Sequence, residues 1–502
     1  MNYGRPTFFC FFILAVAYFV ASAWMGFPAY RDQHFGTARH MFEKGVSLEN
    51  SQIIGFNANQ IPTMQEIPLW QAGAAWALRI FAGWDGAANL FSLLAFSLGL
   101  WPLYQVAFRF LGKEGAWWCL AAFLVHPVVF YYSGCASPDG VSLSAALWAY
   151  EASRRFALRG GWFWGMAALF CSISAALLKL PFYMVAGLAL AFGFGSERVK
   201  SLGIWLRLGI TGLGSAAAFL AWTSYTNRWL DQALWPLVDL RLSQNPEMYF
   251  WYFGDWAYRL DPANWIKAGW RFGNSIFGSF VLGGVMVAGF FLRPSREGWA
   301  WLTGAIAVTA VFTHLVLHHS HYFLMFAPAT ALALGGALDW VFRGPTPNSR
   351  LAQAGGCLLV GLSLGASLLQ GSVGREVVLQ FDPYPGKAAE TLRQRTSAQD
   401  RLLIAGGGWG GNLLLLSERK GLSIWNTRFL EEPENLQLAK DLGFTRLVVV
   451  RESPLLTALQ RTNPGGAGYT APPFSHYLSP RTEQFPVIYE DEQLLIRSIP
   501  AP

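Results

Sequence analysis

Residues 131–140 read YYSGCASPDG and lie between two hydrophobic runs, 115–133 and 138–152. The stretch is a turn with one carboxylate, Asp139, and no basic residue beside it. Whether the flanking runs cross a membrane decides the fold. The chain has 502 residues, of which 53% are hydrophobic and 13% charged, with 23 Trp and 39 Phe. Soluble domains carry about 25% charged residues, so this composition argues against a water-soluble globule. Apolar runs near the length needed to cross a hydrocarbon core about 30 Å thick recur through roughly the first 370 positions.

Spans are expected near 8–27, 87–109, 115–133, 138–152, 162–178, 181–195, 203–223, 274–292, 298–316, 322–341 and 351–370. Residues 8–27 are too long for a signal-peptide core of about 7–15 residues and read as a retained first helix. With the N-terminus inside, alternate loops carry Lys113; Arg154, Arg155 and Arg159; Arg198, Lys200 and Arg207; Arg293 and Arg296; Arg343 and Arg350. That is the basic bias of cytoplasmic loops. The net charge of +7 is therefore loop asymmetry, not a nucleic-acid footprint. The expectation is a multi-pass protein of the bacterial inner membrane with a cytoplasmic N-terminus. The five cysteines, Cys10, Cys119, Cys135, Cys171 and Cys357, show no metal-ligand spacing and read as small apolar residues.

Two outer loops stand out. Residues 28–86 hold the amphipathic RDQHFGTARHMFEKG and then EIPLWQAGAAWALRIFAGW, both read as interfacial helices with Trp70, Trp76 and Trp84 at headgroup level. Residues 224–273, rich in aromatics, suit a lipid chain. Residues 371–502 change character. Helices at 387–396 and 435–443 alternate with strands at 401–406 and 445–452, which predicts a periplasmic α/β domain. The run Gly406–Gly411 formally fits GxGxxG, but Asn426 stands where the dinucleotide fingerprint wants an acid. It reads as a tight structural turn.

Four ionisable groups share the outer side: Asp32, Glu66, Asp139 and Lys179. Ionisable groups at membrane depth are costly and mark function. Each also has an ordinary reading: Asp139 as a helix cap, Asp32 as a solvated loop residue, Glu66 as a helix-start acid, Lys179 as a snorkelling side chain. Their order along the chain tips the balance. Arg31-Asp32-Gln33 follows span one, Glu66-Ile67-Pro68-Leu69 follows it, and Ser137-Pro138-Asp139 sits between spans three and four. Lys179-Leu180-Pro181 comes after span five, and His318-His319-Ser320-His321-Tyr322-Phe323-Leu324 runs on to Pro328.

This arrangement resembles the GT-C class of membrane glycosyltransferases, in the branch of the protein mannosyltransferases and the aminoarabinose transferase of lipid A. The resemblance covers about 1–340. It implies an α-helical polytopic domain over 1–370 that carries catalysis, with the 371–502 domain outside it. It implies an inverting transfer of a sugar from a polyprenyl-phosphate donor to an acceptor hydroxyl on a lipid, protein or glycan. Asp32 would be the general base, with Asp139 and Glu66 orienting hydroxyls or holding a divalent ion. Lys179, His318, His321 and Tyr322 would meet the donor phosphate. Gln33 replaces the second acid of the common Asp-Glu pair, which weakens the case for a metal, and Ile67 replaces a lysine found in some relatives. The crowded histidines lack the separation of a structural zinc site. Competing readings are a lipid-linked sugar flippase, which would favour broken mid-membrane helices and inverted repeats, an O-antigen polymerase or ligase, and an O-acyltransferase using His314 or His319.

Overall fold

Lys179 ends one helix and begins the next. Its backbone is extended, with φ −157° and ψ 102°, between Trp162–Leu178 and Leu180–Gly193. Pro181, two residues on, has no N–H to continue the first helix and a fixed φ that starts the second.

In the computed structural model the described residues are 16, 33–47, 67–194, 201–231, 246–273, 276, 280–343, 383–406, 411–424, 427–451, 453, 457 and 474–500. They form two units. The first contains 84–194, 201–223 and 246–343; the second contains 33–47, 67–83, 224–231 and 383–500.

The first unit is helical. Its principal helices are α1 (Gly86–Ser97), α2 (Leu100–Leu124), α3 (Pro127–Gly134), α4 (Asp139–Arg159), α5 (Trp162–Leu178), α6 (Leu180–Gly193), α7 (Leu202–Asp231), α8 (Phe280–Leu292), α9 (Arg296–Val311), α10 (Thr313–His318) and α11 (Ala327–Arg343). A 3-10 helix, Ser320–Phe326, links the last two. Among the described residues three stretches are long and apolar enough to cross a membrane: Gly86–Leu124, Leu202–Arg228 and Ser320–Val341. Shorter apolar helices cover Trp162–Leu178, Leu180–Gly193 and Gly283–Leu292. The expected spans at 8–27, apart from Val16, and at 351–370 lie outside the described residues.

Hydropathy misplaced some breaks. The runs expected at 87–109 and 115–133 are instead cut near Leu98 and Gly99 and again at His126, with only a kink at Gly112. The run at 298–316 breaks at Phe312. The runs at 162–178 and 181–195 coincide with helices Trp162–Leu178 and Leu180–Gly193 to within two residues.

In the second unit the two amphipathic stretches form helices Gln33–Lys44 and Leu69–Ile80, joined by a 2.8 Å contact between Gln71 Nε2 and His34 Nδ1. Trp70 is fully buried, whereas Trp76 is exposed, as is Trp84 at the start of the first unit's 84–194 segment. Trp70 is thus a packing residue, not one held at headgroup level. The tail builds a five-stranded mixed sheet from β1 (Arg401–Gly406), β2 (Lys420–Ile424), β3 (Arg446–Val450), β4 (Val487–Glu490) and β5 (Leu494–Ser498), in the order β2-β1-β3-β5-β4. β1 pairs in parallel with β2 and β3, while β5 is antiparallel to β3 and β4. Alternate residues point to opposite faces of a strand, and both faces are covered here. Leu403, Ala405, Leu447 and Val449 pack with Phe444 and Phe474, while Leu402, Ile404, Val448 and Val450 pack with Ala388, Leu392 and Leu414.

The strands at 401–406 and 445–452 and the helices at 387–396 and 435–443 are all present, with ends shifted by a few residues. Gly406 has φ 81°, and a Cβ there would lie 2.3 Å from the Val450 carbonyl oxygen. Only glycine fits that turn, which accounts for the first glycine of the GxGxxG-like run without a ligand. Residues 407–410 lie outside the described residues.

The β4–β5 turn is tied by Asp491. One carboxylate oxygen accepts from the amides of Gln493 and Leu494 at 2.7 Å each, and the other accepts from the Tyr489 hydroxyl at 2.7 Å. Burial alone would push this carboxyl up, but the hydroxyl and the two amides hold it below the usual value of 3.8. A carboxylate with a depressed folded pKa stabilises the fold above its unfolded pKa and loses that contribution as pH falls through the folded value. Hydrogen exchange of the full-length protein is therefore expected to show the β4–β5 turn protected at pH 5 and opened progressively below about pH 3.8. Asp491→Asn is expected to remove that pH dependence; an unchanged profile would assign the loss to other groups.

Candidate active site

The site forms where α3, α4, α5, α6 and the 3-10 helix end together. Asp139 is the first residue of α4, behind the N-cap Pro138, so its carboxylate lies beside the positive end of that helix. Gly140 allows the approach: a Cβ there would stand 3.0 Å from Ser133 Cα and from the Tyr132 carbonyl oxygen. The Asn89 side-chain amide from α1 donates to the Gly134 carbonyl at 2.7 Å, fixing the preceding turn. Cys135 is buried and its thiol donates to the Tyr131 carbonyl.

Asp139 has a partner after all. Lys179 Nζ lies 2.8 Å from Asp139 Oδ1, with the side chains 5% and 6% exposed. The Ser137 hydroxyl donates to Oδ2 at 2.9 Å. His321 Nε2 is 4.0 Å from Oδ1, and its ring is less buried than the pair, at 19% exposure. The Lys179 ammonium also sits 5.0 Å from the centre of the Tyr322 ring, a cation–π distance. Tyr322 is held by ring contacts with Phe182 at 6.1 Å and His321 at 4.5 Å. The Tyr132 hydroxyl and Ser320 Oγ share a 2.7 Å hydrogen bond that ties α3 to the 3-10 helix.

A buried ion pair is costly to desolvate and is retained where its geometry and hydrogen bonds compensate. The chemical result here is a lysine side chain buried and oriented at one end of the helical bundle, with a histidine beside it. Such a group can meet an anion that develops charge during a reaction.

Of the residues singled out from the sequence, the structure brings Asp139, Lys179, His321 and Tyr322 together. His318 ends α10, three residues before His321. Asp32 and Glu66 lie outside the described residues. His314 is apart from this group: its Nδ1 is 2.9 Å from the Trp251 carbonyl oxygen, among Phe250, Trp251 and Tyr258. His319 stacks on His321 at 5.1 Å and meets the Trp251 ring at 5.2 Å. Sequence reading missed Tyr132, Ser137 and Ser320 as site residues, although all three stand within the motifs quoted for their neighbours.

A divalent metal finds no fitted site among these groups. Asp139 Oδ1 is taken up by Lys179, and among the described residues no three His, Cys, Asp or Glu side chains converge as metal ligands.

Comparison with known proteins places the architecture. No protein-family model and no curated protein matches the sequence. Among solved structures, the chain is similar to ArnT from Cupriavidus metallidurans bound to undecaprenyl phosphate, with TM-score 0.58 and 13% identity over 99% of both chains. The apo state of the same protein gives TM-score 0.53 and 15% identity over 99% of this chain and 98% of that one. The arabinofuranosyltransferase AftD from Mycobacteria gives TM-score 0.50 and 12% identity, over 97% of this chain and 40% of AftD. The chain is a helical membrane protein with a small C-terminal sheet. Its fold is GT-C-like, as the order of its sequence motifs implied.

Proposed function

We propose that this protein is an inverting glycosyltransferase that moves a sugar from a polyprenyl-phosphate donor to an acceptor hydroxyl on the outer face of the membrane. The observation that carries the reading is the buried Lys179–Asp139 pair, flanked by His321 and Tyr322, at one end of a GT-C-like bundle. The donor class draws further support from the ArnT structure, which was solved with undecaprenyl phosphate bound.

The acceptor oxygen attacks the anomeric carbon as the bond from that carbon to the phosphate oxygen breaks. A single displacement inverts the anomeric centre, with base and leaving group on opposite sides of the sugar. The hydroxyl proton goes to a carboxylate, for which Asp32 is the choice. The bonding electrons leave with the phosphate, whose growing charge is met by Lys179 and by His321 or His318. Asp139 keeps Lys179 charged and aimed, and with Glu66 it orients hydroxyls of the reactants. The 371–502 domain is assigned to the outer side, where it would meet the acceptor.

The test is sugar transfer by purified protein from a panel of polyprenyl-phosphate sugars, wild type against Asp32→Asn. Turnover with one donor is expected, falling about a hundredfold in the variant while donor binding persists. Full turnover by Asp32→Asn would remove Asp32 as the base. No release of sugar from any donor by the wild-type protein would overturn the transferase reading.

A further inference from the structure

The sheet of the tail reverses its strand order at one place. From β1 the chain passes to β2 on one side and then to β3 on the other, and the three strands are parallel. The chain leaving β1 packs on one face of the sheet through Leu413 and Leu414, whereas the chain leaving β3 packs on the opposite face at Phe474. The carboxyl ends of β1 and β3 thus form a topological switch point. In open α/β sheets the crevice outside such a point is where ligands bind. Gly406, which ends β1, is already explained by the Val450 carbonyl and is no sign of a ligand. The sign is its neighbour beyond β3.

Arg451 follows the last residue of β3, and its main chain is fixed on both sides. Its N–H donates to the Gln493 carbonyl at 3.0 Å, and its own carbonyl accepts from the Tyr384 hydroxyl at 2.9 Å. The guanidinium lies 4.2 Å from the centre of the buried Phe474 ring. Three residues on, the Tyr477 ring stands over Gly406, and the Tyr477 carbonyl accepts from the Thr427 amide beyond β2 at 3.2 Å. The segment that backs Arg451 therefore crosses the carboxyl ends of the parallel strands. Other half-buried arginines of this sheet have fixed acceptors: Arg401 bonds the Leu442 carbonyl, Arg446 pairs with Asp400, and Arg497 bonds the Glu483 and Phe485 carbonyls. Arg451 has none. Among the described residues its guanidinium makes no hydrogen bond and no ion pair, although Nε is buried. Asp491, in the adjoining β4–β5 turn, is taken up by Tyr489, Gln493 and Leu494. A guanidinium backed by an aromatic ring and lacking an acceptor presents a fork that matches a phosphate or a carboxylate. We propose that this switch point is an oxyanion site, where Arg451 binds a phosphate or carboxylate group carried by a sugar of the acceptor. Naming the acceptor as carrier rests on the transferase reading; the anion site itself does not.

Arginine modification by phenylglyoxal, read peptide by peptide in the full-length wild-type protein, tests this without turnover and without a substitution. Glucose 1-phosphate and glucuronate are the anionic probes, with glucose and chloride at matched ionic strength as controls. A saturating anionic probe is expected to slow modification of Arg451 about tenfold, the factor set by one charge-assisted hydrogen bond. Arg401 in the same digest is expected to keep its rate. Protection by glucose 1-phosphate alone would assign a phosphate, and protection by glucuronate alone a carboxylate. In calorimetric titration with the protecting probe, Arg451→Gln is expected to weaken binding about tenfold, and Arg451→Lys to recover part of the loss. Unchanged modification of Arg451 under both anions, equal slowing at Arg401, or unweakened binding by Arg451→Gln would overturn the proposal. Protection of Arg451 in a protein that transfers no sugar would uphold the anion site and sink only its assignment to an acceptor.

Discussion

Replacing Lys179 by methionine is expected to lower sugar transfer by about a thousandfold, the upper range for removing one fixed electrostatic donor from a reacting anion. Lys179 has two roles that the substitution separates. As a partner of Asp139 it balances a buried carboxylate; as a cation it meets the donor phosphate. Lys179→Met alone removes the cation 2.8 Å from Asp139, whose side chain is 6% exposed. Breaking one side of such a pair costs about 3–5 kcal/mol, so part of any loss would be instability. The double variant Asp139→Asn with Lys179→Met removes both charges. It is expected to regain thermal stability in detergent to near the wild-type level while transfer stays abolished. Lys179→Arg keeps the charge but replaces a compact ammonium with a planar fork, and intermediate turnover is expected. If Lys179→Met folds and retains turnover, the pair is structural and the phosphate is met elsewhere.

The pairing of Asp139 with Lys179 explains an acid set in a turn with no basic neighbour in sequence, and it also marks the limit of what the sequence made legible. Each residue was visible singly, because a charge at the edge of an apolar run is costly and stands out. Their contact was not visible. It depends on the end of α5 returning to the start of α4, and helical periodicity relates only residues on one helix. The same applies to Tyr322, which reaches Lys179 because residues 320–326 wind as a 3-10 helix. A histidine-rich segment at the entrance to an apolar run gives no sign of that winding. The strands expected at 401–406 and 445–452 were plain as short apolar runs between turn signals, and the second is observed at Arg446–Val450. Helix breaks near Gly99 and Phe312 were not, since hydropathy averages over the few residues in which the backbone turns.

Away from the site, Glu151→Leu is expected to destabilise the first unit by about 3–5 kcal/mol, with little change in donor affinity. The Glu151 carboxylate is 2% exposed and holds two arginines, Arg109 Nη1 at 2.7 Å and Arg155 Nε at 2.7 Å. Arg155 is itself fixed between rings, 4.8 Å from Trp101 and 4.7 Å from Trp164. One carboxylate thus joins α2 to α4 and, through Arg155, to Trp164 on α5. Removing it leaves two mostly buried guanidinium groups without the carboxylate that both of them bond. Arg39–Glu43, 3.6 Å apart with side chains 34% and 54% exposed, is the contrasting case. A pair of that kind on a helix surface contributes only about 0.3–0.5 kcal/mol, so Glu43→Gln is expected to have no measurable effect on unfolding. Glu151 lies about 18 Å along α4 from Asp139, which is why donor binding should survive its loss at temperatures where the variant is folded. Thermal unfolding of both variants in detergent, with donor titration below the transition, separates the outcomes. A shift for Glu151→Leu no larger than that for Glu43→Gln would mean that the two arginines relax into water, and that the cluster does not hold the bundle together.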